Sequence, residues 1–304
     1  MARVWGNPGK RLGRPPINVS DLSALPALRD VIRNHELSAV KSLGQHFLLD
    51  TNLIDRIARV AGPLDGINVI EVGPGPGGLT RALLTHNAAS VTAIEKDRRC
   101  VTALGDLVRA ADGRLRVIGG DALAIDVTDL TLSPRRIIAN LPYNVATALL
   151  LQWLRQGPFQ DRAFERIVVM VQKEVADRLA AKPSTKDYGR LSIAAQWHCI
   201  VKSEFNVART AFTPPPKVQS SIVTLTPRTE PPAPAEWRWL ESVTAAAFNQ
   251  RRKMLRSALK SWNFDFAALG INPEARAENL TVEQFCALAR DAQRMAEAAN
   301  SKAD

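Results

Sequence analysis

The stretch Glu71-Val72-Gly73-Pro74-Gly75-Pro76-Gly77-Gly78 decides the fold of this 304-residue chain. It ends the apolar run Ile67–Val72 and precedes the helical pattern Leu79–Leu84, so a glycine-rich turn joins a strand to a helix. Glycines let such a turn bend sharply and let a ligand approach the backbone near the helix N-terminus. The spacing of Gly73, Gly75 and Gly78 also fits the dinucleotide fingerprint, so the motif alone leaves two cofactor classes open.

Two details of this loop favour a cationic cofactor over a dinucleotide. Pro74 and Pro76 carry no N–H, so the loop lacks donors that a pyrophosphate would require. Glu71 adds a carboxylate to the same pocket, which suits a cation better than a phosphate. S-adenosylmethionine carries an ammonium and a sulfonium group, so the loop predicts S-adenosylmethionine as the cofactor.

Strand-like and helix-like segments alternate after the loop. The strand-like runs are Val91–Glu95, Leu115–Ile118, Arg136–Ala139 and Ile167–Val171, and the helical patterns are Arg98–Arg109, Thr147–Trp153 and Lys173–Leu179. This alternation predicts an α/β fold with a doubly wound, mostly parallel sheet. Val201–Val207 and Ser221–Leu225 have no long helix between them and are predicted to pair antiparallel at one edge.

A small all-helical domain is predicted after residues 227–234, where four prolines in eight residues exclude a helix or a central strand. Beyond them, helical patterns cover Trp237–Phe248, Lys253–Leu259 and Val282–Met295. The predicted domains are 38–230 and 235–304. Residues 1–37 are interpreted as an N-terminal extension, floppy over 1–20, with a short helix over Asp21–Leu37.

Composition limits the classes of function. Lys and Arg number 40 against 30 Asp and Glu, and this net charge of +10 favours a polyanionic partner such as nucleic acid. Three widely spaced cysteines indicate a reducing compartment, and the four histidines show no zinc-type spacing with them. No apolar run of about 20 residues and no secretory signal is present. A cytoplasmic protein without metal or membrane association is therefore expected. We also expect a monomer, which composition does not determine.

Two acidic residues stand at or just after the ends of the next two strands. Glu95 ends the second strand and could accept hydrogen bonds from both ribose hydroxyls, in either cofactor class. Asp121 follows the third strand and could accept the adenine amino group, although an Asp there is more often a turn or cap residue. Replacing Glu95 with Ala is expected to weaken cofactor binding and to leave the stability of the cofactor-free protein unchanged.

The stretch Asn140-Leu141-Pro142-Tyr143, at the end of the fourth strand, predicts chemistry on an exocyclic adenine amine. The lone pair of that amine is delocalised into the ring, so methylation requires the nitrogen to be drawn towards tetrahedral geometry. The Asn140 side-chain oxygen and the Leu141 carbonyl could hold its two N–H groups. Pro142 stiffens the loop, and the ring of Tyr143 could stack on an extruded base.

Taken together, these motifs closely resemble the KsgA family of S-adenosylmethionine-dependent rRNA adenine N6,N6-dimethyltransferases over about residues 38–290. The resemblance also rests on the stretches S-L-G-Q-H-F-L-L-D (Ser42–Asp50), A-I-E-K-D, G-D-A, Q-K-E-V-A-D-R-L, Y-G-R-L-S, A-F-T-P-P-P-K-V, A-F-N-Q-R-R-K-M-L-R and R-A-E-N-L-T. It implies a Rossmann-like class I methyltransferase domain followed by a small helical RNA-binding domain. The implied substrate is a pair of adjacent adenines in the loop of the 3′-terminal hairpin of small-subunit (16S) rRNA, with a role in small-subunit (30S) biogenesis.

The resemblance also implies roles for individual residues. It matches the cofactor contacts to His46, Leu48, Gly73, Glu95, Asp121 and Asn140, and the target-base residues to Asn140, Leu141, Pro142, Tyr143 and Phe212. His46 stands where many members have Asn; both side chains can donate a hydrogen bond. Phe212 matches the aromatic residue that closes over the flipped base opposite Tyr143.

A basic cluster, defined as Arg251, Arg252, Lys253, Arg256 and Lys260, is the candidate RNA-binding surface. At helical spacing, Arg252, Arg256 and Lys260 would share one face while Met254, Leu255 and Leu259 pack inward. A solvated basic face is the alternative interpretation. The net charge and the resemblance favour RNA phosphates as its partner.

Two other functions remain open at this point. The Erm branch uses the same catalytic domain on large-subunit rRNA, and the pattern of Ala247–Leu259 favours the KsgA-like alternative. A ribosome-assembly or transcription factor could keep the fold without the chemistry, but the complete Asn140–Tyr143 motif argues against that loss. The loop prolines and this motif also exclude a nucleotide-dependent oxidoreductase.

Overall fold

Five parallel strands form the centre of the main sheet. The computed structural model describes residues 4–5, 22–40, 43–156 and 163–301. The strands are β1 (Val4–Trp5), β2 (Phe47–Leu48), β3 (Asn68–Val72), β4 (Ser90–Glu95), β5 (Leu115–Gly119), β6 (Arg135–Asn140), β7 (Arg166–Gln172), β8 (Cys199–Val207), β9 (Phe212–Thr213) and β10 (Ser220–Pro227). Within the described ranges the main sheet has the order β1-β5-β4-β3-β6-β7-β10-β8, and β2 pairs with β9 separately.

Helices connect the strands of this sheet. They are α1 (Leu28–Asn34), α2 (Thr51–Val60), α3 (Gly78–Thr85), α4 (Arg98–Ala103), α5 (Gly105–Ala110), α6 (Ala146–Gln156), α7 (Lys173–Ala180), α8 (Arg190–His198), α9 (Trp237–Asn249), α10 (Leu255–Ala258) and α11 (Val282–Asn300). Short 3₁₀ turns cover Ala122–Ala124, Val127–Asp129, Arg209–Ala211, Lys260–Trp262 and Ala277–Asn279. The predicted alternation of strands and helices is confirmed.

The central strands are apolar because both faces of the sheet are covered. Val69, Ile70, Ile137 and Val168 have no exposed surface, as expected for buried parallel strands. β3 pairs in parallel with β4 on one side and with β6 on the other. The chain runs outward from β3 through β4 and β5 and then crosses to β6. The carboxyl ends of β3 and β6 therefore form the crevice at which such folds bind ligands.

The edge beyond β7 is antiparallel, as predicted. β10 pairs antiparallel with β7 from Ser220 opposite Gln172 to Leu225 opposite Ile167. β8 lies next to β10. Ser221 of β10 hydrogen-bonds to Asn206 of β8, and Thr224, further along β10, hydrogen-bonds to Glu204, which comes earlier in β8. The two strands are therefore antiparallel.

The N-terminal region differs from the prediction. Val4 and Trp5 pair antiparallel with Ile118 and Val117 of β5, so these two residues are not a floppy extension. Residues 1–3 and 6–21 of the predicted extension lie outside the described residues. The helix predicted over Asp21–Leu37 is wrong in its extent, because α1 begins only at Leu28. Pro26 disfavours helical backbone in the residue before it, which separates α1 from the helical residues Leu22 and Ser23.

The chain divides into two units. The first contains the described residues up to 156 together with 163–176 and 202–226, and the second contains 177–201 and 227–301. α8 thus belongs to the second unit, although it comes from a part of the chain that the predicted boundaries assign to the first domain. The core of the second unit includes Tyr188, Trp197, Leu240 and Phe285.

The helix predicted over Lys253–Leu259 is wrong in its extent. α10 covers only Leu255–Ala258, and Lys260 begins a 3₁₀ turn. The backbone N–H groups of Leu255 and Arg256 donate to the carbonyls of Ala275 and Pro273. Because these N–H groups bond to another segment and not to a preceding helical turn, the helix does not extend back to Lys253. Leu255 and Leu259 are buried as expected, whereas Met254 is 41% exposed and does not pack inward.

Candidate functional site

A single pocket of the first unit collects most of the predicted site residues. Among its lining residues are His46, Leu48, Gly73, Glu95, Asp121, Asn140, Leu141, Pro142 and Tyr143. The pocket lies at the carboxyl ends of β3, β4 and β6, in the crevice described above. Phe212 is not among the lining residues, and the basic cluster lies in the second unit.

The glycine loop takes backbone conformations that other residues rarely adopt. Gly73 and Gly77 have φ angles of 70° and 90°. A Cβ atom at Gly77 would lie 2.7 Å from a methyl carbon of Leu104, so a side chain there would require a shift. The N–H of Gly73 donates to the carbonyl of Ile94 at 2.9 Å, which ties the loop to the end of β4.

Glu95 is a buried pocket acid and not a solvated strand-end residue. It is 6% exposed, and its carboxylate accepts the N–H of Gly75 at 3.0 Å and the N–H of Asp97 at 2.8 Å. Burial raises its pKa, while these backbone donors oppose the increase. Each carboxylate oxygen has a second lone pair, so further acceptor capacity remains for a ligand.

Glu71 provides a second buried acid in the same pocket. It is 1% exposed and accepts the hydroxyl of Thr80 at 2.7 Å. Burial, assisted by the nearby charge of Glu95, raises the pKa of Glu71 to about 8. Within the described chain neither acid forms an ion pair. Two buried carboxyl groups without a cation suit a positively charged ligand, which would favour their ionised forms.

Asp121 performs a local structural task at the rim of the pocket. One carboxylate oxygen caps the 3₁₀ turn that follows by accepting the N–H of Leu123 at 3.0 Å. The other pairs with the ammonium group of Lys96 at 2.8 Å. The hydrogen bond from Lys96 is the main reason that the pKa of Asp121 lies below its usual value. The cap role that the sequence suggested for an Asp here is therefore present, and Lys96 is a pocket residue that the sequence reasoning missed.

The Asn140–Tyr143 loop packs directly against the glycine loop. A Cβ atom on Gly73 would lie 3.5 Å from Pro142 and 3.7 Å from the carbonyl of Asn140. The N–H of Leu141 donates to the carbonyl of Met170 at 3.2 Å, and the carbonyl of Pro142 accepts N–H groups that open α6. The loop is thus held at both ends, which keeps Asn140 at the pocket.

Tyr143 is fixed through its hydroxyl. This group hydrogen-bonds to the hydroxyl of the buried Ser220 in β10. Burial raises the pKa of Tyr143, so the phenol remains neutral at physiological pH. Its ring centroid lies 5.6 Å from that of His46, with the two planes tilted by 33°.

Phe212 lies in the core beside the pocket. It is 2% exposed, and it pairs with Leu48 where β9 meets β2. Its ring makes an edge contact with His46 at 6.5 Å. Its closure over a base therefore stays a prediction from the resemblance.

The sequence did not predict a hydrogen-bonded cluster, here called the latch, which consists of Gln45, Asp97 and Arg99. Gln45 donates to Asp97 at 3.0 Å, while Arg99 donates to Asp97 at 2.7 Å and to the Ser38 carbonyl at 3.0 Å. The hydrogen bond from Arg99 lowers the pKa of Asp97 to about 2. The latch holds residues 38–40 and 43–45 at the end of β4. The A-I-E-K-D and S-L-G-Q-H-F-L-L-D stretches contain Gln45 and Asp97, but pairing them required the fold.

The basic cluster of the second unit is partly neutralised. Arg251 donates to Glu278 at 2.7 Å, and Arg256 lies 3.6 Å from Glu274. Arg252, Lys253 and Lys260 are exposed. The shared helical face predicted for Arg252, Arg256 and Lys260 does not exist, because α10 ends before Lys260.

The described part of the chain has no helix long and apolar enough to cross a bilayer. Nor do its His, Cys, Asp and Glu side chains form a group of three or more that could hold a metal ion.

The sheet and its pocket define a class I S-adenosylmethionine-dependent methyltransferase, with S-adenosylmethionine as the cofactor. The profile of the ribosomal RNA adenine dimethylase family matches residues 37–294. The chain belongs to this family and is an rRNA adenine dimethyltransferase.

Proteins and solved structures that resemble this chain agree with that assignment. The ribosomal RNA small subunit methyltransferase A of Paramagnetospirillum magneticum is 57% identical over 272 residues, which are 88% of this chain and 95% of that protein. Its counterpart from Rhodospirillum rubrum is 58% identical over 269 residues, 88% of this chain and 92% of that protein.

Two crystal structures extend the comparison to the fold. A dimethyladenosine transferase from Plasmodium falciparum is 26% identical with a TM-score of 0.70, covering 83% of this chain and 98% of that one. The 23S rRNA methyltransferase ErmE is 26% identical with a TM-score of 0.61, covering 81% of this chain and 99% of that one.

Proposed function

We propose that this protein dimethylates N6 of two adjacent adenines in the loop of the 3′-terminal hairpin of small-subunit (16S) rRNA, within the assembling 30S subunit. The observation that carries the proposal is that the glycine loop, Glu95 and Asn140–Tyr143 open into one pocket. The residues proposed to bind the cofactor and those proposed to hold the amine therefore line the same pocket. A cytoplasmic location and a monomeric state are part of the same proposal.

The pocket fits the cofactor through its charge. When bound, S-adenosylmethionine supplies a methyl group on a positively charged sulfur. Glu71 and Glu95 are buried and lack a cation partner among the described residues, so an ammonium or sulfonium nearby would stabilise their ionised forms. Glu95 would hold the ribose hydroxyls. Asp121, at the rim, would accept the adenine amine with its remaining lone pairs.

Asn140 and Leu141 would orient the target amine. The Asn140 side-chain oxygen and the Leu141 carbonyl would each accept one N–H of the adenine, drawing the nitrogen towards tetrahedral geometry with its lone pair facing the methyl donor. Tyr143 would stack on the base, because its neutral ring is fixed by Ser220. No strong base is required, since the amine becomes acidic as it gains positive charge, and its proton can pass to water.

The small-subunit substrate is supported by the relatives. Proteins with 52–58% identity over about nine-tenths of this chain carry the name ribosomal RNA small subunit methyltransferase A. The large-subunit enzyme ErmE has lower structural similarity than the dimethyladenosine transferase. The Erm-type alternative is therefore less well supported.

The test is to incubate the purified chain with labelled S-adenosylmethionine and small subunits from a strain that lacks this modification, followed by nucleoside analysis. We expect N6,N6-dimethyladenosine in the 3′-terminal hairpin. Parallel reactions contain naked 16S rRNA and large subunits. Modification of large subunits alone would support the Erm-type alternative, and no modification of either would support a non-catalytic assembly factor.

A further inference from the structure

His46 connects the segment that lines the pocket to the loop after Phe212. Its Nδ1 atom lies 2.8 Å from the carbonyl oxygen of Pro214. A carbonyl can only accept, so Nδ1 carries the hydrogen and donates it. The donor of His46 is thus bonded to the protein itself, whereas the resemblance implies that His46 contacts the cofactor.

The pairing of β2 with β9 explains why this side-chain bond is required. The register pairs Leu48 with Phe212 and Phe47 with Thr213, so the next pair would be His46 and Pro214. Pro214 has no N–H, and the backbone ladder cannot continue normally at that position. The His46 side chain uses the Pro214 carbonyl instead. A two-stranded sheet of two pairs is weak by itself, so this bond adds to the core packing of Leu48 and Phe212 in holding the two segments together.

The same side chain contacts both rings assigned to the target base. Its ring centroid is 5.6 Å from that of Tyr143 and 6.5 Å from that of Phe212. Tyr143 is held independently by Ser220. Phe212, in contrast, is held by its burial in the core and by the short β2–β9 pairing, and His46 ties the loop that follows it to the pocket.

We propose that His46 is a positioning residue for the target adenine: its Nδ1–H holds the loop Phe212–Pro214 in register with the pocket, so this donor serves the base side of the site and not the cofactor. This inference rests on the proposed function. It predicts that a donor at position 46 matters for methyl transfer and not for cofactor affinity.

Three variants separate the donor from the ring. His46→Ala removes both, His46→Phe keeps an aromatic ring without a donor, and His46→Asn keeps an N–H donor without the ring. We expect single-turnover methylation of unmodified small subunits to fall about tenfold in His46→Ala and His46→Phe, the scale of one lost hydrogen bond. His46→Asn should stay within about threefold of the wild-type chain. Calorimetric affinity for S-adenosylhomocysteine should change less than about twofold in all three.

Each outcome is informative. An unchanged rate in His46→Ala, or a loss of cofactor affinity that matches the loss of rate, would overturn the inference and leave the proposed function intact. A rate in His46→Asn as low as in His46→Ala would also overturn it, because the donor would then be irrelevant. Thermal melting shows whether each variant still folds. Among folded variants, the rates of His46→Asn and His46→Phe are compared, which decides whether the donor or the ring matters. A wild-type chain that does not modify small subunits would overturn the proposed function and this inference together.

Discussion

At the scale of single residues, the burial of Glu95 changes the effect that its replacement by Ala should have on stability. Glu95→Ala should weaken S-adenosylmethionine binding, since a hydrogen bond to a charged acceptor is worth about 1.5–3 kcal/mol. It should also lower the free energy of unfolding without cofactor, because the N–H groups of Gly75 and Asp97 lose their acceptor. The expectation of unchanged stability therefore does not fit the structure. Calorimetry and urea unfolding measure the two effects, with Glu95→Gln as the control that retains one acceptor oxygen; unchanged cofactor affinity would exclude Glu95 from the cofactor site.

Glu71 predicts a dependence of stability on pH. Its pKa is about 8 in the folded chain against an ordinary value of 4.5, so between these values the folded state holds a proton that the unfolded state has released. The folded state binds more protons, and the free energy of unfolding should therefore fall as pH rises through this window, by at most about 1.4 kcal/mol per pH unit. Glu71→Gln should flatten this part of the slope in urea unfolding of the cofactor-free protein. Identical slopes for the two proteins would contradict a raised pKa.

Asn140 separates chemistry from binding. Asn140→Ala should slow single-turnover methylation by about 10²–10³, the usual effect of losing one orienting group in a preorganised site. Cofactor affinity should change little, because the side chain is proposed to hold the substrate amine. The rate is measured with unmodified small subunits and the affinity by calorimetry. A wild-type rate would show that the amine is aligned by other groups.

At the scale of elements, α2 depends on its N-cap and brings two apolar side chains to the pocket. Asp50 accepts the N–H groups of Asn52 and Leu53 at 3.0 and 3.1 Å, and Ile54 and Ile57 line the pocket. Asp50→Ala should lower the free energy of unfolding by about 1 kcal/mol, measured by urea unfolding. Asp50→Ser should recover most of the loss, because serine also caps helices. Equal stability of all three proteins would show that the cap is dispensable.

One helix, α2, could have been predicted from the sequence but was not. α2 is capped by Asp50 and has apolar residues at helical spacing, Leu53, Ile54 and Ile57, so capping and periodicity together indicate it. α10 shows the opposite case. Its basic and apolar spacing resembles a longer helix, but backbone hydrogen bonds from Leu255 and Arg256 to a distant segment replace the first turn.

At the scale of the whole molecule, the net charge of +10 predicts that basic side chains bind rRNA through its phosphates. Arg252→Glu combined with Arg256→Glu should weaken rRNA binding and reduce the slope of log affinity against log salt by about one to two, if each side chain contacts one phosphate. Cofactor affinity should not change. Arg59→Glu with Arg109→Glu is the control, because it changes the net charge equally at exposed positions of the first unit. Equal effects of the two double variants would show that only total charge matters.

The sequence by itself determined the class of fold, the order of the motifs and the family. Buried parallel strands appear as short apolar runs, and the glycine loop and Asn140–Tyr143 are contiguous, so their chemistry can be predicted locally. The tertiary structure decided the burial of Glu71 and Glu95, the pairing of Lys96 with Asp121, and the bond from His46 to Pro214. These properties depend on desolvation and on contacts between distant segments, which exist only once the sheet has brought them together.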